Sequence, residues 1–190
     1  MPKIGMEPIR REALVKATIA EIGLAGSLDV TVSQIARRAG MSSALAHHYF
    51  GGKDQIYLAA MRRILADFGA EVRNELGCTR PDGRAEAVIR ACFAPSCFTP
   101  QTISAWMTFY VLAQTNVQAL RLWRIYQGRM RSNLTHAMRP LSRNPKFAAK
   151  TLTALIDGLY IRAALNDPDT PEMATAHALS VLESLKEPRL

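Results

Sequence analysis

The stretch from Thr31 to Lys53, TVSQIARRAGMSSALAHHYFGGK, constrains the fold of this chain more than any other. Thr31 followed three residues later by Gln34 makes a capping box, in which the hydroxyl accepts from a free backbone N–H and the amide reaches back to the cap. A helix is therefore predicted to start at Val32, with Val32, Ile35, Ala36 and Ala39 on its apolar side. Ala36 is small enough for a second helix to pack closely, and Gly40 can turn the chain. Ser42 is a second N-cap, and the helix it opens carries Ser43, Ala44, Leu45, His47, His48 and Tyr49. Two short helices around a glycine turn form a helix-turn-helix. Its second helix offers short, polar and aromatic groups suited to base edges, thymine methyls and phosphates in a major groove.

The remaining chain reads as helical throughout, with no useful run of period-two alternation and no repeat. A first helix is predicted from about Pro8 to Ala25, with Leu14, Ala17, Thr18 and Ile22 on one face. After Lys53, the residues Ile56, Ala60, Ile64, Phe68 and Val72 recur at four-residue spacing and predict one long connecting helix. Gly77, Pro81 and Gly83 would end it. Further helices are predicted over Arg84 to Phe93, Gln101 to Asn116, Val117 to Met138, Pro145 to Asn166 and Thr170 to Lys186. The expected fold is all-α. An N-terminal DNA-binding domain spans 1–53 with its motif at about 31–50, and a sensing and dimerisation domain spans 54–190.

The 190 residues carry a net charge of +8, which favours a partner with phosphates, yet residues 1–53 hold only seven Lys/Arg against four Asp/Glu. No carboxylate occurs between Glu86 and Asp157, an interval with nine Lys/Arg that reads as a basic solvated face or, if some point inward, as room for an anion. Cys78, Cys92 and Cys97 are odd in number and lack metal-ligand spacing, so reduced thiols and no metal are expected. No run of about 18 apolar residues marks a membrane span, and MPKIGMEPIRRE lacks the apolar core of a signal peptide, so a cytoplasmic location is expected. The chain has no GxSxG elbow, P-loop, dinucleotide fingerprint or HExxH, so no enzyme and no cofactor is expected. His47 and His48 point about 100° apart on a helix and are poorly placed to share a metal.

Residues 9–60 resemble the DNA-binding domain of TetR-family repressors: a first helix ending at a glycine turn, then TVSQIARRAGMS, then Ser42 to Phe50, then Lys53. The resemblance implies that a homodimer places its second motif helices in a palindromic operator of double-stranded DNA. Thr31, Ser42, Tyr49 and Lys53 become candidate phosphate contacts, and Ser43, Ala44, Leu45, His47 and His48 candidate base or groove contacts. The chain departs from the common pattern at Ala44, where the family usually has Gly, and at His47, where it usually has Tyr; at least one of His47 and His48 can instead be structural or face phosphate. MPKIGMEPIRRE, HHYFGGKD, AWMTFYVLAQ and IDGLYIRAAL extend the similarity to the BetI type of this family. That type controls glycine betaine synthesis from choline, which implies choline as inducer.

A trimethylammonium group lacks N–H donors and needs aromatic faces, helped by a carboxylate. Trp106, Phe109 and Tyr110 lie on one predicted helix, Trp123 and Tyr126 on the next, and Tyr160 follows Asp157 by three residues. Trp106 and Tyr110 share a face, as do Asp157 and Tyr160. Asp157 is the first candidate for the anion, with Asp67 and Glu71 behind it. The same aromatics at helical spacing also fit a core or a dimer contact, and an amphipathic drug or acyl compound is the alternative ligand. The stripes Ala148, Leu152, Leu155, Leu159, Ala163 and Ala174, Ala178, Val181, Leu185 fit either internal packing or a second copy.

Overall fold

Caps and turn residues set the helix ends in the N-terminal part, and packing on α1 organises it. The computed structural model describes residues 5–27, 29–77, 79–165 and 170–187. Cys78, Asn166 and the first four residues, which begin the MPKIGMEPIRRE segment, lie outside them. Helix α1 (Met6–Ala25) starts two residues before Pro8 and ends at Gly26, whose φ of 60° permits a left-handed cap. Leu14, Val15, Ala17, Thr18 and Ile22 are its buried side. Thr18 satisfies its buried hydroxyl by donating to the Leu14 carbonyl at 2.7 Å. Helices α2 (Val32–Arg38) and α3 (Ser43–Phe50) follow, and then the long α4 (Lys53–Gly77).

A short 3-10 turn, Pro81–Gly83, leads into α5 (Arg84–Cys92), followed by α6 (Pro100–Thr115), α7 (Val117–Met138), α8 (Pro145–Ala164) and α9 (Pro171–Ser184). No strand occurs among the described residues. Asn144 caps α8 by accepting from the Phe147 N–H, and Thr170 caps α9 by accepting from that of Met173. Helix α8 ends at Ala164, two residues before the predicted Asn166, and the Leu165 N–H donates to the Ile161 and Arg162 carbonyls.

Contacts cluster into two units that cut the chain elsewhere than at 53/54. The first holds the described residues up to Ile64 together with Pro100–Leu120; the second holds Leu65–Thr99 and the described residues from Arg121 onward. In the first unit α6 packs along α1, and the crossing is so close that a Cβ on Gly23 would lie 2.6–2.7 Å from the Cα, Cβ and Cγ of Gln101. Its core is built from Leu14, Ile35, Ile56 and Leu58, all fully buried, with Phe109 at 1% exposure. Each such side chain contributes about 1.5–3 kcal/mol on leaving water.

In the second unit α5 and α8 both pack on α9. Ile89, Leu134, Met138, Leu152 and Leu182 are its most deeply buried aliphatic side chains. The apolar stripes expected on α8 and α9 are largely consumed here, since Ala148, Leu152, Leu159, Ala174 and Ala178 are buried within the one chain. The apolar groups left outside are different ones: Phe147, Ile161, Leu165 and Met173 are all exposed. Phe147, Ala154, Ile161 and Leu165 follow each other at seven- and four-residue steps, so they share one face of α8 that no stripe of buried residues predicted.

Candidate nucleic-acid interface and sensing residues

The helix-turn-helix is built almost entirely from local hydrogen bonds. Thr31 Oγ1 accepts from the Gln34 N–H at 3.2 Å, and Gln34 Oε1 accepts from the Thr31 N–H at 2.7 Å and from its hydroxyl at 2.8 Å, which completes the predicted box. At the other end of α2, Gly40 N–H bonds the Arg37 carbonyl and Met41 N–H bonds that of Ala36, at 3.1 and 2.8 Å. This six-to-one closure requires the left-handed φ of 67° that Gly40 has. Ser42 then caps α3 by accepting from the Leu45 N–H at 3.2 Å.

Helix α3 turns one side inward and one outward. Ala46 is fully buried, which lets α3 lie close against α2. Ala44, His47 and His48 are exposed; Ser43, Leu45 and Tyr49 are half-buried. Ser43 already donates to the Ser33 hydroxyl at 3.0 Å and so also pins the two helices together. Thr31 and Ser42 are exposed at the helix starts, where backbone N–H groups face outward.

The far end of α3 is braced by residues that the motif alone did not single out. Arg10 Nη1 donates to the Tyr49 hydroxyl at 3.4 Å, and the Arg11 guanidinium lies 5.6 Å from the Tyr49 ring centre and 5.2 Å from that of Phe50. Two cations of α1 thus border the end of α3. Their only sequence signal was their position on the polar side of α1. Lys53 begins α4 half-buried, its ammonium 5.6 Å from the Tyr57 ring centre. The Tyr57 hydroxyl donates to the Val30 carbonyl at 2.9 Å, and burial pushes its pKa up to about 12, with Asp29 and Asp54 adding to the effect. Tyr57 is therefore a neutral strut under Lys53.

The candidate sensing residues fall into three groups. Within the first unit, Trp106 and Phe109 are buried and meet edge-on at 6.0 Å, and Trp106 meets the half-buried Tyr110 at 5.8 Å. In the second unit, Tyr126 meets Phe68 of α4 edge-on at 5.9 Å, and Trp123 holds a buried indole N–H with no hydrogen-bond acceptor among the described residues. Asp157 is half-buried and accepts from Gln127 Nε2 at 3.1 Å, which fixes the carboxylate against α7. Glu71 of α4 accepts from the Ser96 hydroxyl at 3.1 Å.

Tyr160 is held by α5 and by two phenylalanine rings. Its hydroxyl donates to the Cys92 carbonyl at 2.6 Å, and its ring meets Phe98 edge-on at 4.9 Å and Phe93 at 6.0 Å. Both its ring and its hydroxyl are thus engaged by protein. Gln127, Phe93 and Phe98 were not singled out from the sequence, and Phe68 only as part of the connecting-helix stripe, because nothing local ties them to Asp157, Tyr126 or Tyr160. Cys92 and Cys97 carry free thiols whose pKa values burial raises, which keeps them in the unreactive protonated form.

Comparison with known proteins agrees with this layout. The model of bacterial regulatory proteins of the tetR family matches residues 14–60, and that of the BetI-type transcriptional repressor, C-terminal, matches residues 81–186. The HTH-type transcriptional regulator BetI of Brucella anthropi is 50% identical over 182 residues, covering 94% of this chain and 93% of the relative. That of Agrobacterium fabrum is 47% identical over 168 residues, covering 87% and 82%. Among solved structures, a TetR transcription regulator from Haloarcula marismortui has a TM-score of 0.84 at 21% identity, covering 95% of this chain and 100% of that one. A transcriptional regulator from Saccharomonospora viridis in complex with choline has a TM-score of 0.81 at 20% identity, covering 94% and 98%. With a capped and exposed recognition helix in front and a matching all-helical C-terminal part behind, the chain belongs to the BetI-type transcriptional repressors of the TetR family.

Proposed function

We propose that this repressor controls glycine betaine synthesis from choline and that choline releases it from its operator. The observation that carries the reading is the match of residues 81–186 to the BetI-type C-terminal model, the part of the chain where a signal would be sensed. The choline bound by the similarly folded Saccharomonospora viridis regulator supports the ligand class. Thr31, Ser42, Tyr49 and Lys53 contact phosphates in this account, while Ala44, His47 and His48 meet the groove, with Ser43 and Leu45 at its edge. Arg10 and Arg11 add phosphate attraction beside Tyr49.

The protein acts as a homodimer, which sets two recognition helices about one DNA turn apart on a palindrome. The exposed Phe147 and Ile161 of α8, Leu165 at its C-cap and Met173 of α9 supply the apolar surface for the second copy. Choline is recognised by aromatic faces: the candidates are Trp106, Phe109 and Tyr110 within the first unit and, within the second, Trp123, Tyr126 and Tyr160 with Asp157 as the anion. One cation-π contact contributes about 0.5–2 kcal/mol, so two or three faces are needed. Choline must bind more tightly to the conformation that fits DNA poorly, since equal binding to both would shift nothing.

Calorimetric titration with choline, glycine betaine, betaine aldehyde, a cationic amphipathic drug and an acyl compound tests the ligand. Choline is expected to bind saturably and Trp106→Ala to weaken it. Saturable binding of the drug or the acyl compound alone would replace choline as the inducer while leaving the repressor assignment intact.

A further inference from the structure

Four of the nine cations of the acid-free interval, Arg131, Arg139, Lys146 and Lys150, gather beside Arg84, which precedes the interval. A groove of about 670 Å³ in the second unit is lined by Arg84 of α5, Arg131 of α7, Arg139 just past it, and Lys146 and Lys150 of α8, with His136 among them. No carboxylate lines it. Leu76, Val88 and Ala137 give it apolar walls, and Ser132, Asn133 and Thr135 add neutral hydrogen-bonding groups. No Phe, Tyr or Trp is among its lining residues.

Some arginines elsewhere in the chain pair with carboxylates: Arg11 with Glu7, Arg38 with Glu21, Arg63 with Glu12, Arg90 with Glu86 and Arg143 with Glu187. None of the five groove cations has an acidic partner among the described residues. Their placement also opposes the helix dipoles. Arg84 is the first residue of α5 and Lys146 the second of α8, where the positive ends of those helices disfavour cations. Like charges around a concave surface repel and concentrate a positive potential there, which an anion would relieve.

We infer that this groove binds a small organic anion carrying several phosphate groups. Arginine forks grip phosphate oxygens bidentately, and the two lysines act as point charges at the α8 end. The volume suits a metabolite-sized ligand. Choline, a cation, is repelled by this surface, so the site is separate from choline sensing and stands whether or not choline is the inducer.

The test uses the full-length protein and tripolyphosphate, titrated by calorimetry at fixed ionic strength, with citrate and a non-operator DNA duplex as separate arms. Tripolyphosphate is expected to bind saturably, one per chain. Arg131→Glu combined with Lys150→Glu is expected to weaken it at least tenfold, while Arg73→Glu combined with Arg124→Glu, outside the groove, leaves it within twofold. The groove variant should melt no lower than the unaltered protein without anion, because it relieves repulsion. Non-saturable binding, or equal weakening by both variants, would overturn the proposal. Tighter binding of citrate would overturn the phosphate assignment. Competition by the duplex that disappears in the groove variant would instead assign the groove to nucleic acid and overturn the small-anion reading.

Discussion

The α2–α3 pair and the α7–α8 pair differ in how far along the chain their decisive bonds reach. Around α2 and α3 the caps join residues three apart and the side-chain bond between the two helices, Ser43 to Ser33, spans ten, with Arg10 of α1 bracing Tyr49 from outside the pair. Around α7 and α8, Gln127 reaches Asp157 across 30 residues and Tyr160 reaches the Cys92 carbonyl across 68. The first pair is a rigid local device with a small exposed face. The second fixes its polar groups only once the whole unit has folded, so a change there can be felt throughout that unit.

The sharpest way to break this contrast is on the exposed face of α3. Replacing His47 and His48 together by Ala should lower operator affinity about 10- to 100-fold, as one or two base contacts of about 1–3 kcal/mol are lost, with an unchanged melting temperature. A fluorescence-anisotropy titration beside a thermal melt checks both halves. Retained affinity would remove the groove role of the two histidines.

Tyr160→Phe should do the opposite. It orphans the buried Cys92 carbonyl and should cost about 1–3 kcal/mol of stability, read from urea unfolding, while operator affinity of the folded protein stays the same. Within the local device, Gly40→Ala should cost about 1–2 kcal/mol through its positive φ, and Thr31→Ala about 1 kcal/mol through the lost cap. If Thr31→Ala proved costlier than Tyr160→Phe, the long-range bonds would not be the ones that hold the second unit.

The smallest effect concerns pH. The Tyr57 phenol has its pKa raised from 10.0 to about 12 in the folded protein, so folding favours the protonated form. Its contribution is complete below pH 10 and is lost as pH rises from 10 towards 12. Tyr57→Phe should therefore show a shallower loss of urea resistance across that window than the unaltered protein.

The same difference of range explains what was legible in the sequence. The capping box, the Gly40 turn and the Ser42 cap are written in residues a few positions apart, so α2 and α3 could be placed from the letters alone. The periodicity of Ile56, Ala60, Ile64 and Val72 likewise foretold α4, because a helix face is also a local property. The outward face of α8 was missed, since the more prominent stripe of Ala148, Leu152 and Leu159 is used inside the chain. The spacing that places Tyr160 beside Asp157 on α8 could not name the Phe98 ring and the Cys92 carbonyl that engage it, since only the tertiary fold brings them near. The charge was visible as an acid-free interval, but its gathering into one groove depends on α5, α7 and α8 meeting.

One titration tests the central claim most directly. Duplex DNA from the promoter adjoining the gene for this chain is bound by the full-length protein with and without millimolar choline, and the affinity is read by anisotropy. A choline-released repressor predicts tight binding without choline and binding weaker by about tenfold or more with it. Equal affinity in the two conditions would contradict the account.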